Sequence, residues 1–214
     1  PAIFALMPSI SVLVVDDNSN DGTQELVENL AKTFGNLFFL SRNADFGYGK
    51  SSIAGFKWIL KKPYEYLVTM DADFSHDPSI VPTLLDKLSR FDVVVGSRYT
   101  KDGGVKNWNL FRQALSKFAN LYVRVILRLP IRDITSGFNV YRKSCLGKID
   151  LDGITSEGYA FLVELKYRLY QTGCTFVEGP IIFSERREGQ SKMSSKIIWE
   201  AIKLPWKLKP GPKF

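Results

Sequence analysis

The chain is poor in the side chains that most often do chemistry on their own. Its 214 residues include one histidine, His76, and two cysteines, Cys145 and Cys174. One histidine supports no serine–histidine–acid set. Two cysteines make neither a disulfide framework nor a zinc spacing, and both read as reduced core or near-core residues. No apolar run reaches the roughly 18 residues of a membrane-spanning helix, and no signal peptide is visible. Internal repeats and low-complexity segments are absent too. Acid is the scarcer charge, 22 Asp and Glu against 29 Lys and Arg. The net charge of +7 favours anionic partners: nucleic acid, anionic lipid or phosphorylated substrates. Nucleic acid drops out, because no known module or basic–aromatic stripe supports it. The chain opens at Pro1 without a methionine, as if it began partway through a gene product.

What is present is organised around Tyr66-Leu-Val-Thr-Met-Asp-Ala-Asp-Phe-Ser-His-Asp-Pro78. A short apolar, β-prone run ends abruptly in two carboxylates, Asp71 and Asp73. Residues two apart on an extended chain point the same way, so both can face one crevice. In open α/β sheets that crevice, at the carboxyl ends of the strands, is where ligands bind. Two hard oxygen donors suit Mg²⁺ or Mn²⁺, which leave further positions for water and substrate phosphates. The plainer reading is an acidic turn in which Asp77 caps the next helix and Pro78 opens it. That accounts for Asp77 and Pro78 and leaves Asp71 and Asp73 unexplained. For His76, a turn residue packed beside the cap weighs as much as a ligand.

Around this stretch strands alternate with helices. Ala2–Met7 reads as the tail of a helix, and Ser11–Val15 as a fully buried strand ending in Asp16 and Asp17. A turn and a helix from about Thr23 to Phe34 follow, with Leu26, Val27, Leu30 and Phe34 at helical spacing. Then come a strand at Leu37–Leu40, a helix from about Lys50 to Lys61, the organising strand Tyr66–Met70, a helix over Pro78–Leu88 and a strand at Asp92–Val95, closed by Gly96-Ser-Arg-Tyr99. The alternation implies right-handed βαβ units and a mostly parallel sheet. Beyond a Lys101–Gly104 loop, a long amphipathic helix from about Leu110 to Leu127 carries Arg112, Lys117, Arg124 and Arg128. Asp133–Gly137 is a polar loop and Phe138–Tyr141 is extended. A helix runs from about Ser156 to Gln171, and Thr175–Phe183 is a strand interrupted at Gly179-Pro180. A charged loop, Glu185–Lys192, leads to an amphipathic tail from about Ser194 to Leu204. The chain divides into one α/β domain, residues 1–192, and a membrane-proximal tail, residues 193–214.

Three strand ends carry polar groups that can meet: Asp16/Asp17, Asp71/Asp73 and Ser97/Arg98. A calcium loop at Asp17–Glu28 fails, because a β-run precedes it and Gln24 takes a position that is usually apolar. A phosphate-binding loop at Gly47-Tyr-Gly-Lys-Ser51 fails, because its first glycine falls on Ala44. An aspartyl-phosphate enzyme usually carries its nucleophile near the chain start. Arg186, Arg187 and Lys192 are either a solvated loop or cationic clamps on a diphosphate. Arg112 and Ser116, one helical turn apart, are either a second phosphate site or simply the helix's polar face.

Six motifs in order resemble the polyprenyl-phosphate mannose synthases of glycosyltransferase family 2. They are Val14–Thr23, Met70–His76, Gly96–Tyr99, Thr135–Phe138 with Tyr141–Lys143, Gly158–Phe161 and Gly189–Lys192. The resemblance implies the nucleotide-sugar transferase fold called GT-A, and inverting transfer of mannose from GDP-mannose to a polyprenyl (dolichyl) phosphate. By position it implies that Val15 and Asp17 contact the nucleoside. Asp71, Ala72 and Asp73 would bind diphosphate and metal, Asp73 foremost. Arg98, Arg186 and Lys192 would bind donor phosphates or position the reacting groups. It also implies a first strand ending in a Pro-Thr-Tyr-Asn-Glu-like segment, which nothing before Ser11 matches, so an amino-terminal truncation is expected.

The rivals are the same fold with another donor, such as UDP-glucose, and an inactive or accessory copy that only binds a membrane or a partner. The charge and tail suit a peripheral protein on the cytoplasmic side of a membrane, with any anchoring segment or subunit outside this chain, while a helix packed on its own domain accounts for the tail equally well. Arg98→Ala is expected to cripple transfer more than folding, since a strand-end arginine is a poor core residue.

Overall fold

A computed structural model describes the backbone of residues 1–184 and 195–209 and the side chains of residues 1–184 and 202–209. The chain opens with α1 (Ala2–Leu6), β1 (Val12–Asp16), α2 (Thr23–Thr33), β2 (Leu37–Ser41), α3 (Tyr48–Leu60) and β3 (Tyr66–Thr69). Next are α4 (Val81–Asp86), β4 (Val93–Ser97), β5 (Gly104–Val105), α5 (Leu110–Leu127), β6 (Asn139–Arg142) and α6 (Lys143–Leu146). Last come α7 (Gly158–Gln171), β7 (Phe176–Pro180), β8 (Ile182–Phe183) and α8 (Ser195–Leu208). Two 3₁₀ turns, Pro78–Ile80 and Lys87–Ser89, flank α4, so the helix expected over Pro78–Leu88 is three short pieces. Asp77 does cap it, accepting from the Ser79 N–H at 2.9 Å with Pro78 in the first turn.

Four strands form the central sheet in the order β3-β6-β4-β7. β4 and β7 run parallel, while β6 runs antiparallel to both β3 and β4. β1 and β2 form a separate parallel pair, and β5 pairs with β8. The β7 ladder continues through Gly179 and Pro180, and the break falls at Ile181 instead.

β4 shows why its sequence folds as a central strand. Val93 and Val95 face the larger core with α5 and α7, and Val94 faces the smaller one with Val81, Leu84 and Leu88. All three valines are fully buried, each contributing roughly 1.5–3 kcal/mol of burial. β1 differs from expectation: Val12 to Val15 are only half-buried. Among the described residues it pairs on one side only, with β2, and the same is true of β3 with β6.

The cysteines are a correction. Cys145 and Cys174, both buried, are joined as a disulfide whose Cα atoms lie 6.2 Å apart. Their sequence spacing carried no sign of this, because the contact is made by β6–α6 and the α7–β7 turn meeting in space. α8 packs against α5 and α7, and its Leu204 enters the larger core. No helix among the described residues is long and apolar enough to cross a membrane.

Candidate active site

β3 ends at Thr69, and Asp71 and Asp73 lie in the bend that follows rather than on extended chain. Both are half-buried, while Ala72 between them is exposed. The bend is set by hydrogen bonds. The Asp71 N–H donates to His76 Nδ1 at 3.1 Å, and Asp73 Oδ1 accepts from the Ser75 N–H at 3.0 Å. Phe74 adopts a positive φ of 59° to complete it. His76 is a packing residue, buried against the rings of Phe138 and Phe183 at 5.0 and 5.5 Å. Burial pushes its pKa below the usual value, Asp71 and Asp73 pull it upward, and Arg98 pushes it down.

Arg98 follows β4, and it is a buried residue. Its Nε and Nη2 donate to Asp133 Oδ2 and Oδ1 at 2.8 and 2.6 Å, and its backbone N–H donates to Oδ2 at 2.9 Å. Nη2 also reaches Thr135 Oγ1 at 3.0 Å. Burial alone would make the guanidinium easier to deprotonate, but the Asp133 carboxylate reverses this and raises its pKa. The guanidinium lies over the rings of Tyr99, Trp108 and Phe183. This corrects the expectation that Arg98 is a poor core residue. A fork of donors matched to a carboxylate, with aromatic faces around it, makes burial of this arginine tolerable.

The Asp133–Gly137 loop is held from four elements. Asn120 on α5 accepts from the Ile134 and Thr135 N–H groups and donates to Thr135 Oγ1. Lys166 on α7 donates to the carbonyls of Ile134 and Ser136, both at 2.8 Å. Glu178 on β7 accepts from the Arg132 and Asp133 N–H groups. Thr69 on β3 donates to the Gly137 carbonyl at 2.9 Å. Burial depresses the Lys166 pKa to about 7. A neutral amine has the two hydrogens that two carbonyls need. A Cβ on Gly137 would lie 3.0 Å from the Tyr48 hydroxyl and 3.8 Å from Asp71 Oδ1. Only glycine leaves that space open beside the carboxylate.

Asp17, expected at the nucleoside, ties β1 to the start of α3. It accepts from the Gly47 N–H at 2.7 Å and from Ser51 Oγ at 2.8 Å, and it pairs with Arg42. Burial pushes its pKa up, but the Gly47 N–H, the Ser51 hydroxyl and Arg42 outweigh this and lower it. Asp16 folds back on Ser19, and Asp21 accepts from Thr23 at the start of α2, as the turn reading requires. Val15 lies inside β1, half-buried beside Gly55.

A cleft of about 260 Å³ opens beside Arg98, lined also by Tyr99, Trp108, Gln113 and Lys117. Trp108 Nε1 is buried there without a hydrogen-bond partner among the described residues. Of the two expected phosphate holders on α5, Ser116 accepts a 2.6 Å hydrogen bond from the Tyr99 hydroxyl, and Arg112 stacks 4.2 Å over Trp108. Arg186 and Lys192 lie outside the described residues. Just before them, the Ser184 N–H donates to the Ser75 carbonyl, so the chain enters that segment beside the β3 bend. A larger groove of about 570 Å³ near Cys174 and Phe176 lies far from the strand-end carboxylates and carries no charged lining residue.

No three His, Cys, Asp or Glu side chains among the described residues cluster closely enough to hold a metal by themselves. Asp71 and Asp73 nevertheless fit Mg²⁺ or Mn²⁺, which typically take one or two carboxylates and fill their remaining positions with water and phosphate oxygens. The space kept open by Gly137 lies against one of these carboxylates.

Sequence reasoning missed Asp133, Asn120, Lys166 and Glu178. The only signals were an asparagine on the inner face of α5 and a lysine among the buried residues of α7.

The model of glycosyl transferase family 2 matches residues 5–150. An undecaprenyl-phosphate mannosyltransferase of Micrococcus luteus is 43% identical over 196 residues, covering 92% of this chain and 81% of that protein. A polyprenol monophosphomannose synthase of Mycolicibacterium smegmatis is 44% identical over 197 residues, covering 91% and 74%. Among solved structures, glucosyl-3-phosphoglycerate synthase from Mycobacterium tuberculosis, in complex with Mn²⁺, UDP and phosphoglyceric acid, superposes with a TM-score of 0.68. It is 15% identical, with 99% of this chain and 72% of that one covered. That likeness shows the fold.

Proposed function

The chain belongs to glycosyl transferase family 2 and is a glycosyltransferase, and from that premise we propose that it transfers mannose from GDP-mannose to a polyprenyl phosphate with inversion. The observation that supports this is that Asp71 lies against Gly137, at the end of the loop whose Asp133 holds Arg98, with a cleft that Lys117 also lines beside that arginine. The relatives named for undecaprenyl and polyprenol phosphates support a lipid acceptor.

In this reading Asp71 and Asp73 hold Mg²⁺ or Mn²⁺, with Asp73 the principal ligand and the exposed Ala72 backbone against the diphosphate. Val15 and Asp17 line the nucleoside side, where Asp17 also fixes the Gly47 turn. The bound metal would neutralise negative charge gathering on the departing diphosphate. Arg98 adds fixed positive charge, held in place by Asp133 so that little reorganisation accompanies reaction. Arg186 and Lys192 bind donor phosphates from the loop that leaves Ser184. Lys117 and Arg112, with Ser116 behind them, receive the acceptor phosphate. One acceptor oxygen bonds to the anomeric carbon as the carbon–oxygen bond to GDP breaks, and that electron pair leaves on the GDP oxygen. The acceptor is already an anion near neutral pH, so no general base is required. The enzyme works as a peripheral protein on the cytoplasmic face of a membrane.

The test is transfer of label from GDP-mannose into organic-extractable lipid in the presence of a polyprenyl phosphate, with UDP-glucose in parallel. Mannosyl lipid formed with Mg²⁺ or Mn²⁺ and lost on chelation is the expected result. Transfer from UDP-glucose alone would replace the donor. Neither product from a folded protein would leave the accessory-copy reading.

A further inference from the structure

Trp108 occupies the short link between β5 and α5, and contacts from several directions hold it there. Its carbonyl accepts from Gln113 Nε2 at 3.0 Å. Phe183, paired with Val105 in the β5–β8 ladder, meets its ring edge-on at 5.6 Å. Two guanidiniums lie over the indole, with Cζ of Arg112 4.2 Å and Cζ of Arg98 5.4 Å from the ring centroid. The two arginines thus share one aromatic platform, which orients them without adding negative charge.

A phenyl ring also provides such stacking, although indole provides it best. What phenyl lacks is the Nε1–H, and that group is buried with no hydrogen-bond partner among the described residues. A buried donor left unmet weakens the fold, and functional sites are where such costs persist. The cleft of about 260 Å³ that Trp108 lines shows what would meet it. Its charged lining side chains are Arg98 and Lys117, with no acid among them. Arginine, lysine and the indole nitrogen are donors only. A phosphate monoester, anionic and rich in acceptor oxygens, satisfies all three. Turning Nε1–H onto such an oxygen breaks no existing hydrogen bond, because it makes none.

We propose that Trp108 binds the acceptor's phosphate monoester, its Nε1–H donating to a phosphate oxygen in this cleft while its ring sets Arg112 beside Arg98. The inference rests on the lipid-phosphate reading above. It adds to that reading a rigid neutral donor, which supplies direction where the flexible Lys117 ammonium supplies charge.

The test is titration with citronellyl monophosphate, a water-soluble prenyl phosphate, without nucleotide or metal. Binding is followed by calorimetry and through the indole ¹H–¹⁵N resonances of tryptophan-labelled protein, in the parent and in Trp108→Phe. The substitution identifies the Trp108 resonance by deleting it, and Trp58, stacked on Tyr64, is the internal reference. The Trp108 resonance should move downfield as ligand saturates, while that of Trp58 stays in place. Trp108→Phe should bind at least about tenfold more weakly, as for a hydrogen bond to a charged group. Its melting temperature should equal or exceed the parent's, since an unmet donor has gone. In turnover it should raise KM for the acceptor and leave KM for the sugar nucleotide unchanged. A Trp108 resonance that ignores bound ligand, or equal binding by the variant, would overturn the proposal. So would an equal affinity for inorganic phosphate, or a response to GDP in place of the prenyl ester. If the variant melts lower, the parent's own Trp108 resonance decides. No sugar nucleotide enters the titration, so failure of mannosyl transfer would remove the functional reading and leave this result standing.

Discussion

Asp133 is fully buried, and its charge is balanced by the Arg98 guanidinium at 2.6–2.8 Å. Arg98→Ala therefore does two things at once. It removes a cation from the site, and it leaves a buried carboxylate without its partner, which costs about 3–5 kcal/mol. Denaturant unfolding should show that loss alongside the loss of transfer. An unchanged midpoint would mean that water or another cation replaces the arginine. Asp73 contrasts with it. It sits half-buried in a bend, so Asp73→Ala should lower transfer by about 10²–10³-fold, as for removal of one electrostatic stabiliser, while shifting unfolding by no more than about 1 kcal/mol. Full activity in that variant would refute the site.

Lys166 gives a pH signature. Burial lowers its folded pKa to about 7, against about 10.4 for an unfolded lysine. Between these values the unfolded chain holds a proton that the folded chain has shed, so this residue's contribution to stability rises with pH from about 7 to about 10.4. Asp133 pulls the pKa upward and Arg98 pushes it down, so the window belongs to the whole cluster. Lys166→Met should remove that slope from unfolding curves taken across the window. A slope that survives the substitution belongs to another group.

At the scale of elements, α5 was readable to its ends. Asn109 accepts from the Arg112 N–H at 2.8 Å, and Arg128 stops the helix in a left-handed conformation. The apolar spacing between them fixed the rest. β6 was readable as extended chain, but its antiparallel seat between β3 and β4 was not, because strand order is decided by long-range pairing. α6 and β5, at 4 and 2 residues, are too short to leave a periodic signal. The disulfide was hidden for the same reason as the strand order. Closing the loop between Cys145 and Cys174, 29 positions apart, stabilises by about 3–4 kcal/mol in the chain-entropy model. Air-purified protein denatured without reductant should titrate no free thiol, and reductant should lower the melting temperature. Two titrated thiols would show the pair reduced, the usual state in a cytosol.

At the scale of the whole molecule, the strand ends were the legible part of the site. Asp71, Asp73 and Arg98 stood out because charge follows directly on apolar β-runs. Their supports did not stand out, since Asn120, Lys166 and Glu178 lie inside elements where polar residues normally face water. Only packing α5, α7 and β7 around one loop turns them inward. The resulting assembly places a carboxylate pair, a fixed guanidinium and an exposed apolar helix face in one molecule. That combination suits a charged donor meeting a lipid acceptor.

The most direct measurement is calorimetric titration of the protein with GDP and with UDP, each with and without Mn²⁺. The account predicts GDP binding that requires Mn²⁺ and disappears in Asp73→Ala. Preference for UDP, or GDP binding that ignores both the metal and Asp73, would contradict it.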